Sequence, residues 1–233
     1  MKLGIRHSVV FLISIACFSI NSFSSANWKF GEEVLLGHPD SPWVILAIAD
    51  ANLGKRYERI KDFVQQPNGV NIHLISIDKS KSISRMKLYS PFEKNQDGSS
   101  VAQKLYKHLT LHIDSIKQKH ENLRSAAFFG HSLSGLFGSW VSLQSNCPFD
   151  VVYLSSPSCW VNKKEITRLG DSSVYAKTHI LVGGMERLNL VFHSSRRYAK
   201  RNRTVVFSSI PFRGHASTVS RGFRDLLDIL NLT

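Results

Sequence analysis

The chain has 233 residues, 30 Lys and Arg against 17 Asp and Glu, and a formal charge of +13. That length suits one domain with a full core and leaves little for a second. The basic balance attracts anionic groups such as acidic substrates, lipid headgroups or envelope polyanions, but no nucleic-acid module is recognisable, which sets nucleic acid aside as a partner.

Lys2 and Arg6 precede the apolar run "VVFLISIACFSI", followed by "NSFSSAN". Basic, apolar and small-residue regions in that order describe a secretory signal, with Ser24 and Ala26 placed for a cut after Ala26. The expectation is a signal peptide over 1–26 and a periplasmic or secreted domain over 27–233. The apolar core of about 12 residues is short for a membrane span. A retained anchor and a lipoprotein modified at Cys17 are the alternatives. Cleavage removes Lys2 and Arg6 and no acid, so the charge falls from +13 to +11.

The elements then alternate. "PWVILAIAD" (42–50) reads as a buried strand, "RYERIKDFVQQ" (56–66) as a helix with Tyr57, Ile60 and Val64 on one face, and "VNIHLISI" (70–77) as a second strand. Residues 78–100 show no periodicity and read as a long loop. "SVAQKLYKHLTLHIDSIKQKH" (100–120) is an amphipathic helix, "RSAAFFG" a strand, "LSGLFGSWVSLQ" a helix, and "FDVVYLSS" a strand. "THILVGG" (178–184) is a strand, 187–201 a basic helix, "TVVFSSI" (204–210) a strand and "STVSRGFRDLLDILN" (217–231) a last helix. Strands apolar throughout, alternating with helices, predict an α/β fold with a mostly parallel sheet covered on both faces. Cys147 and Cys159 flank a strand, which holds them too far apart for a disulfide, so both are expected as free thiols.

Gly130-His131-Ser132-Leu133-Ser134 lies between a strand and a helix. This is the setting of a G-x-S-x-G nucleophile elbow, whose tight turn needs small neighbours and leaves the serine hydroxyl exposed. Ser134 stands where glycine is usual. Ser132 is the candidate nucleophile, and the N–H of Leu133, opening the helix, a candidate oxyanion donor. A serine needs a base. Of the later histidines, His120 lies at the wrong sheet edge, the side chain of His131 is expected to turn away from Ser132, His179 is inside a strand and His193 mid-helix. His215, in "PFRGHAST" after the last strand, shares the edge of Ser132 and is the candidate base. Glu186, after the preceding strand, is the candidate acid. Asp150 and Asp171 precede their strands. A Ser–His dyad is the competing arrangement.

Together these segments resemble the esterase-like branch of the α/β-hydrolases, in particular the enterochelin-esterase-like and ferri-siderophore-esterase-like enzymes. The resemblance rests on "GHSLSGLFGSW", "VILAIADAN", "SRMKLYSPF", "YLSSPSCW", "VGGMER" and "RGHAS". It implies a serine hydrolase acting on carboxylic esters through an acyl-enzyme, with Ser132, His215 and Glu186 as the triad. It also implies a second oxyanion donor near Asp50-Ala51, where Ala51 replaces the usual glycine, and Arg85 and Trp160 in the substrate pocket. It implies no metal or organic cofactor, and a small-molecule ester substrate, siderophore-like and anionic given the basic balance. The segment before residue 42 leaves little room for the strands that open this fold. A thioesterase or peptidase using the same triad, and a binding protein that keeps the fold without catalysis, are the rival readings.

Overall fold

The computed structural model describes residues 30–36, 41–49, 71–77, 84–162, 164–166 and 174–230. The expected signal segment, Cys17, Asp50-Ala51, the helix at 56–66 and Asp171 lie outside them.

Seven strands form one sheet in the order β1-β3-β2-β4-β5-β6-β7. They are β1 (Phe30–Leu36), β2 (Trp43–Ala49), β3 (Asn71–Ile77), β4 (Ser125–His131), β5 (Val151–Ser155), β6 (Lys177–Gly183) and β7 (Val205–Ile210). Strands β2 to β7 are mutually parallel where they pair, and β1 runs antiparallel to β3 at the edge. The α/β fold with a mostly parallel sheet is therefore as expected. The strand β1 is a correction, because the segment before residue 42 does hold an opening strand. Its sequence FGEEVLL sets two glutamates side by side, which breaks the period of two that marks a half-buried strand. The structure absorbs the misfit with a register shift between Glu33 and Leu35.

The central strands are apolar on both faces because both faces are covered. Val44, Leu46 and Ile48 of β2, Ala126 and Phe128 of β4, and Val152 and Leu154 of β5 enter one core. The residues between them, Ile45, Ala47, Ala127, Phe129, Val151 and Tyr153, enter the other. The first core is closed by α2 (Val101–Lys119), α3 (Leu133–Val141) and α4 (Leu190–Arg201), the second by α5 (Thr218–Ile229) through Val219, Phe223, Leu226 and Leu227. Within 78–100 the structure adds a short helix α1 (Arg85–Tyr89), capped by Ser84, whose hydroxyl accepts from the Lys87 N–H at 3.3 Å. Five residues are too few for a helical period to show. The basic helix expected over 187–201 is in two parts. A 3₁₀ turn over Gly184–Leu188 ends at Asn189, whose side chain caps α4. Cys147 and Cys159 are free thiols, and burial pushes both up to about 11.

Phe129 is fully buried, stacked at 5.9 Å on Tyr153 and edge-on at 5.3 Å to Phe223. Phe129→Ala is expected to cost about 3–5 kcal/mol in urea denaturation. A loss under about 1 kcal/mol would mean that α5 is not seated on this face.

Candidate active site

The strands β4, β5, β6 and β7 all deliver their C-terminal ends to one edge, and the candidate residues follow those ends. Ser132 follows β4 with φ 59° and ψ −116°, a backbone region that costs a non-glycine residue roughly 1–3 kcal/mol. The neighbours hold it there. Its N–H donates to the Ser155 carbonyl at 3.1 Å, and its carbonyl accepts from the N–H groups of Ser158 at 2.9 Å and Leu136 at 3.0 Å. A Cβ on Gly130 would come within 2.5 Å of the Ser134 carbonyl oxygen, so only glycine fits. Ser134 is buried, and its hydroxyl accepts from the His131 N–H and donates to the His131 carbonyl, both at 2.9 Å. The serine in place of glycine thus closes the turn with two bonds to one residue.

The second half of the site is built around Glu186, which is 2% exposed. Its Oε1 accepts from His215 Nδ1 at 2.7 Å, and its Oε2 accepts from the Ser156 hydroxyl at 2.6 Å and the Gly183 N–H at 2.8 Å. Burial pushes the Glu186 carboxyl up, and the bonds from His215, Ser156 and Gly183 together outweigh it and hold the group below the usual carboxylate range. With Nδ1 donating to Glu186, Nε2 is the ring nitrogen of His215 left to accept a proton. Two close approaches bring the loop of His215 to this carboxylate. Gly183 lies against the Arg213 carbonyl with no room for a Cβ, and the Met185 N–H donates to that carbonyl at 3.1 Å.

The two halves are joined by polar groups that sequence reasoning did not single out. The Ser155 hydroxyl donates to Thr218 Oγ1 at 2.9 Å, and Thr218 donates to the His215 carbonyl at 2.8 Å. His131 Nδ1 lies 3.2 Å from Ser155 Oγ, and the His131 ring is 4.7 Å from that of His215. Ser156 has φ 44°, a second strained serine, which aims its hydroxyl at Glu186. The Ser-Ser-Pro-Ser run after β5 was the available signal, since small polar residues past a strand end at this edge face the site.

Of the candidate trio, Glu186 and His215 are hydrogen-bonded. Ser132 is not bonded to His215, and its hydroxyl lies 3.3 Å from that of Ser158 instead. Leu133 opens α3, so its N–H has no intrahelical acceptor. Trp160 borders an open depression of about 390 Å³ with Asn189, Leu190, Val191 and His193. Arg85 is exposed at the start of α1 and is not among those residues. The turn that carries Trp160 is tied to α1 by the Ser90 hydroxyl, which donates to Asn162 Oδ1 at 2.8 Å. His179 stacks at 6.2 Å on Tyr153, and His193 is exposed on α4.

A carboxyl held low in the folded state stabilises the fold above its unfolded pKa of about 4.3 and loses that contribution as the pH falls through the folded value. Against Glu186→Gln, the wild type is expected to be more stable by about 1.5–3 kcal/mol at pH 7. The gap should close on acidification below the unfolded value. Urea titrations of both proteins from pH 7 to pH 3 measure it, and a gap independent of pH would contradict the charged, triply bonded carboxylate.

No protein-family model matches the chain, and no curated protein sequence matches it. Solved structures do. BES protein from Bacillus cereus aligns with TM-score 0.56 and 16% identity over 88% of this chain and 96% of that one. The siderophore hydrolase EstB from Aspergillus nidulans aligns with TM-score 0.56 and 18% identity, over 80% and 83% of the two chains. An IroE-like serine hydrolase from Shewanella oneidensis aligns with TM-score 0.55 and 12% identity, over 85% and 78%. The similarity is one of strand order and helix placement, and on it this chain has the α/β-hydrolase fold.

Proposed function

We propose that the protein is an exported serine hydrolase that cleaves carboxylic esters through an acyl-enzyme. The observation that carries this reading is the 2.7 Å bond between the buried Glu186 and the half-buried His215 at the same sheet edge as the strained Ser132. Solved structures with this fold, the siderophore hydrolase EstB from Aspergillus nidulans and the enterobactin hydrolase IroE in complex with DFP, support it.

The steps follow from the residues. The Ser132 hydroxyl leaves Ser158, passes its proton to His215 Nε2 and attacks the ester carbonyl carbon. Glu186 holds the Nδ1–H tautomer and favours the imidazolium that forms. The tetrahedral oxyanion takes the Leu133 N–H, with the Ala51 N–H as the expected second donor. Collapse breaks the C–O bond, and the proton on Nε2 goes to the leaving alcohol. Water, deprotonated by His215, then attacks the acyl-enzyme and frees the acid and Ser132. Residues 1–26 serve in this reading as the export signal, removed after Ala26, and 27–233 as the mature periplasmic or secreted domain. An anionic, siderophore-like ester suits the excess of cations, and Arg85 and Trp160 are the proposed pocket residues.

One observation favours the second reading, a non-catalytic binding protein of this fold. Ser132 makes its contact with Ser158 and not with His215. Catalytic hydrogen bonds often form only in the substrate complex, which is why the hydrolase reading is preferred.

The test is labelling by a fluorophosphonate and turnover of short p-nitrophenyl esters. Wild type is expected to label and turn over, and Ser132→Ala to do neither. His215→Ala is expected to lower kcat by on the order of 10⁴–10⁶, and Glu186→Gln by about 10²–10⁴. An unlabelled wild type, or label retained in Ser132→Ala, would overturn the proposal.

A further inference from the structure

The rim around the site carries large apolar side chains that no element of the described fold covers. Phe212 is 91% exposed, Met185 67%, Leu190 60% and Trp160 42%. They are neighbours. The loop of Phe212 lies on the turn of Met185 through the Met185 N–H to Arg213 carbonyl bond and the close approach of Gly184 to Pro211. The same 3₁₀ turn leads to Leu190, which shares the open depression with Trp160. Phe212 also sits at φ 56°. An aromatic side chain in water at a strained backbone position has no account within the fold, because burial would favour turning it inward.

The exposed charge beside Phe212, Met185 and Leu190 is cationic. Around these side chains, over 183–190 and 210–218, the only acid is Glu186, buried and engaged by His215, while Arg187 and Arg213 are exposed. Exposed Glu165 lies farther along the chain from Trp160, and Lys200, Arg201 and Arg203 sit at the far end of α4, toward the start of β7. Arg187 and Arg213 flank the apolar side chains directly. Neither is ion-paired among the described residues, and Arg187 stacks on the ring of Phe192 at 5.7 Å. Apolar side chains flanked by two exposed arginines at one end of a molecule are complementary to an apolar layer under negative headgroups.

We propose that this rim docks on an anionic lipid bilayer, with Phe212, Met185, Leu190 and Trp160 entering the headgroup and acyl boundary while Arg187 and Arg213 engage the headgroups. The docked face is the sheet edge that carries Ser132 and His215, so the site opens toward esters at the lipid–water interface. No helix of the described residues is long and apolar enough to cross a membrane, and none is needed for this mode of attachment.

The experiment uses the full chain with vesicles of phosphatidylglycerol and phosphatidylcholine, or of phosphatidylcholine alone, followed by hydrogen–deuterium exchange and flotation. Residues 1–29 are common to every variant, so any lipid affinity of the N-terminal apolar run is common as well, and exchange reads the rim separately. Peptides covering 183–190 and 208–214 are expected to gain protection with the anionic vesicles only, and those of α2 to gain none. Phe212→Gly keeps the fold safe, because glycine accepts φ 56° without strain. It is expected to weaken vesicle binding at the rim about tenfold or more. Arg187→Glu with Arg213→Glu should weaken it by at least as much. Lys117→Glu with Lys119→Glu makes the same charge change at the end of α2, at the opposite sheet edge, and should leave rim protection in place.

Absence of rim protection would overturn the proposal. So would equal protection with the neutral vesicles, or equal losses from the α2 pair, which would reduce the effect to net charge. Protection produced equally by soluble glycerol phosphate would point to a phosphate pocket and would overturn it too. None of these readouts requires turnover, so the outcome stands apart from that of the hydrolase test.

Discussion

The arrangement depends on one buried carboxylate. Glu186 takes a hydrogen bond from three segments at once: Ser156 beyond β5, Gly183 at the end of β6, and His215 beyond β7. A carboxylate at 2% exposure is costly unless its lone pairs are met by donors. Here the donors come from three separate strand ends, so satisfying the charge also sets where those ends lie relative to each other. The loop of His215 cannot drift from β6 without leaving this charge short of a partner. Satisfaction of the carboxylate and placement of the imidazole are therefore the same requirement.

The elbow is held by a different kind of constraint. Ser132 occupies an unfavourable backbone conformation, and such strain persists only where the surroundings overdetermine it. Four groups do so: the Ser155 carbonyl, the Ser158 N–H, the Leu136 N–H and the double bond pair between Ser134 and His131. Two of the four lie past β5, so the turn after β4 is locked by the neighbouring strand. That same stretch supplies Ser155 and Ser156 to the network around Thr218, Glu186 and His215. The β5 end thus links the turn of Ser132 to the Glu186–His215 pair, and the tilted rings of His131 and His215, 4.7 Å apart, close the circuit. The groups at this edge are held by strand ends, and the hydroxyl of Ser132 faces that of Ser158.

The distribution of exposure separates structural from outward-facing roles. The sheet interior is apolar on both faces, and the helices that cover it bury one stripe each, except α3, which is buried nearly all round. At the site edge that logic stops. Phe212, Met185 and Leu190 face solvent among arginines, and the rest of the fold makes no use of them. Residues that burial would favour hiding are informative where they stay out.

Much of this was legible in the residue pattern because the relevant forces are local. Mostly apolar runs bounded by turn residues mark β2 to β7, and the central ones, covered on both faces, admit no polar alternation. Small residues around Ser132 mark a turn that larger ones could not make. The order of Ser132, Glu186 and His215 after successive strands places all three at one edge, because every strand in a parallel sheet ends on the same side. The opening strand β1 was not legible, because its paired glutamates break the period and its pairing with β3 needs a register shift within β1. Nor was α1, a single turn with one cap. What only the tertiary structure decided is which groups meet. It set Ser156, Gly183 and His215 on the Glu186 carboxylate, used Ser134 as a clasp on His131, turned the Ser132 hydroxyl toward Ser158, and left Phe212 in water. Apart from the local bonds of Ser134 to His131 and of Gly183 to Glu186, these contacts join segments far apart in the chain, governed by the satisfaction of buried polar groups in three dimensions, and no spacing along the sequence encodes them.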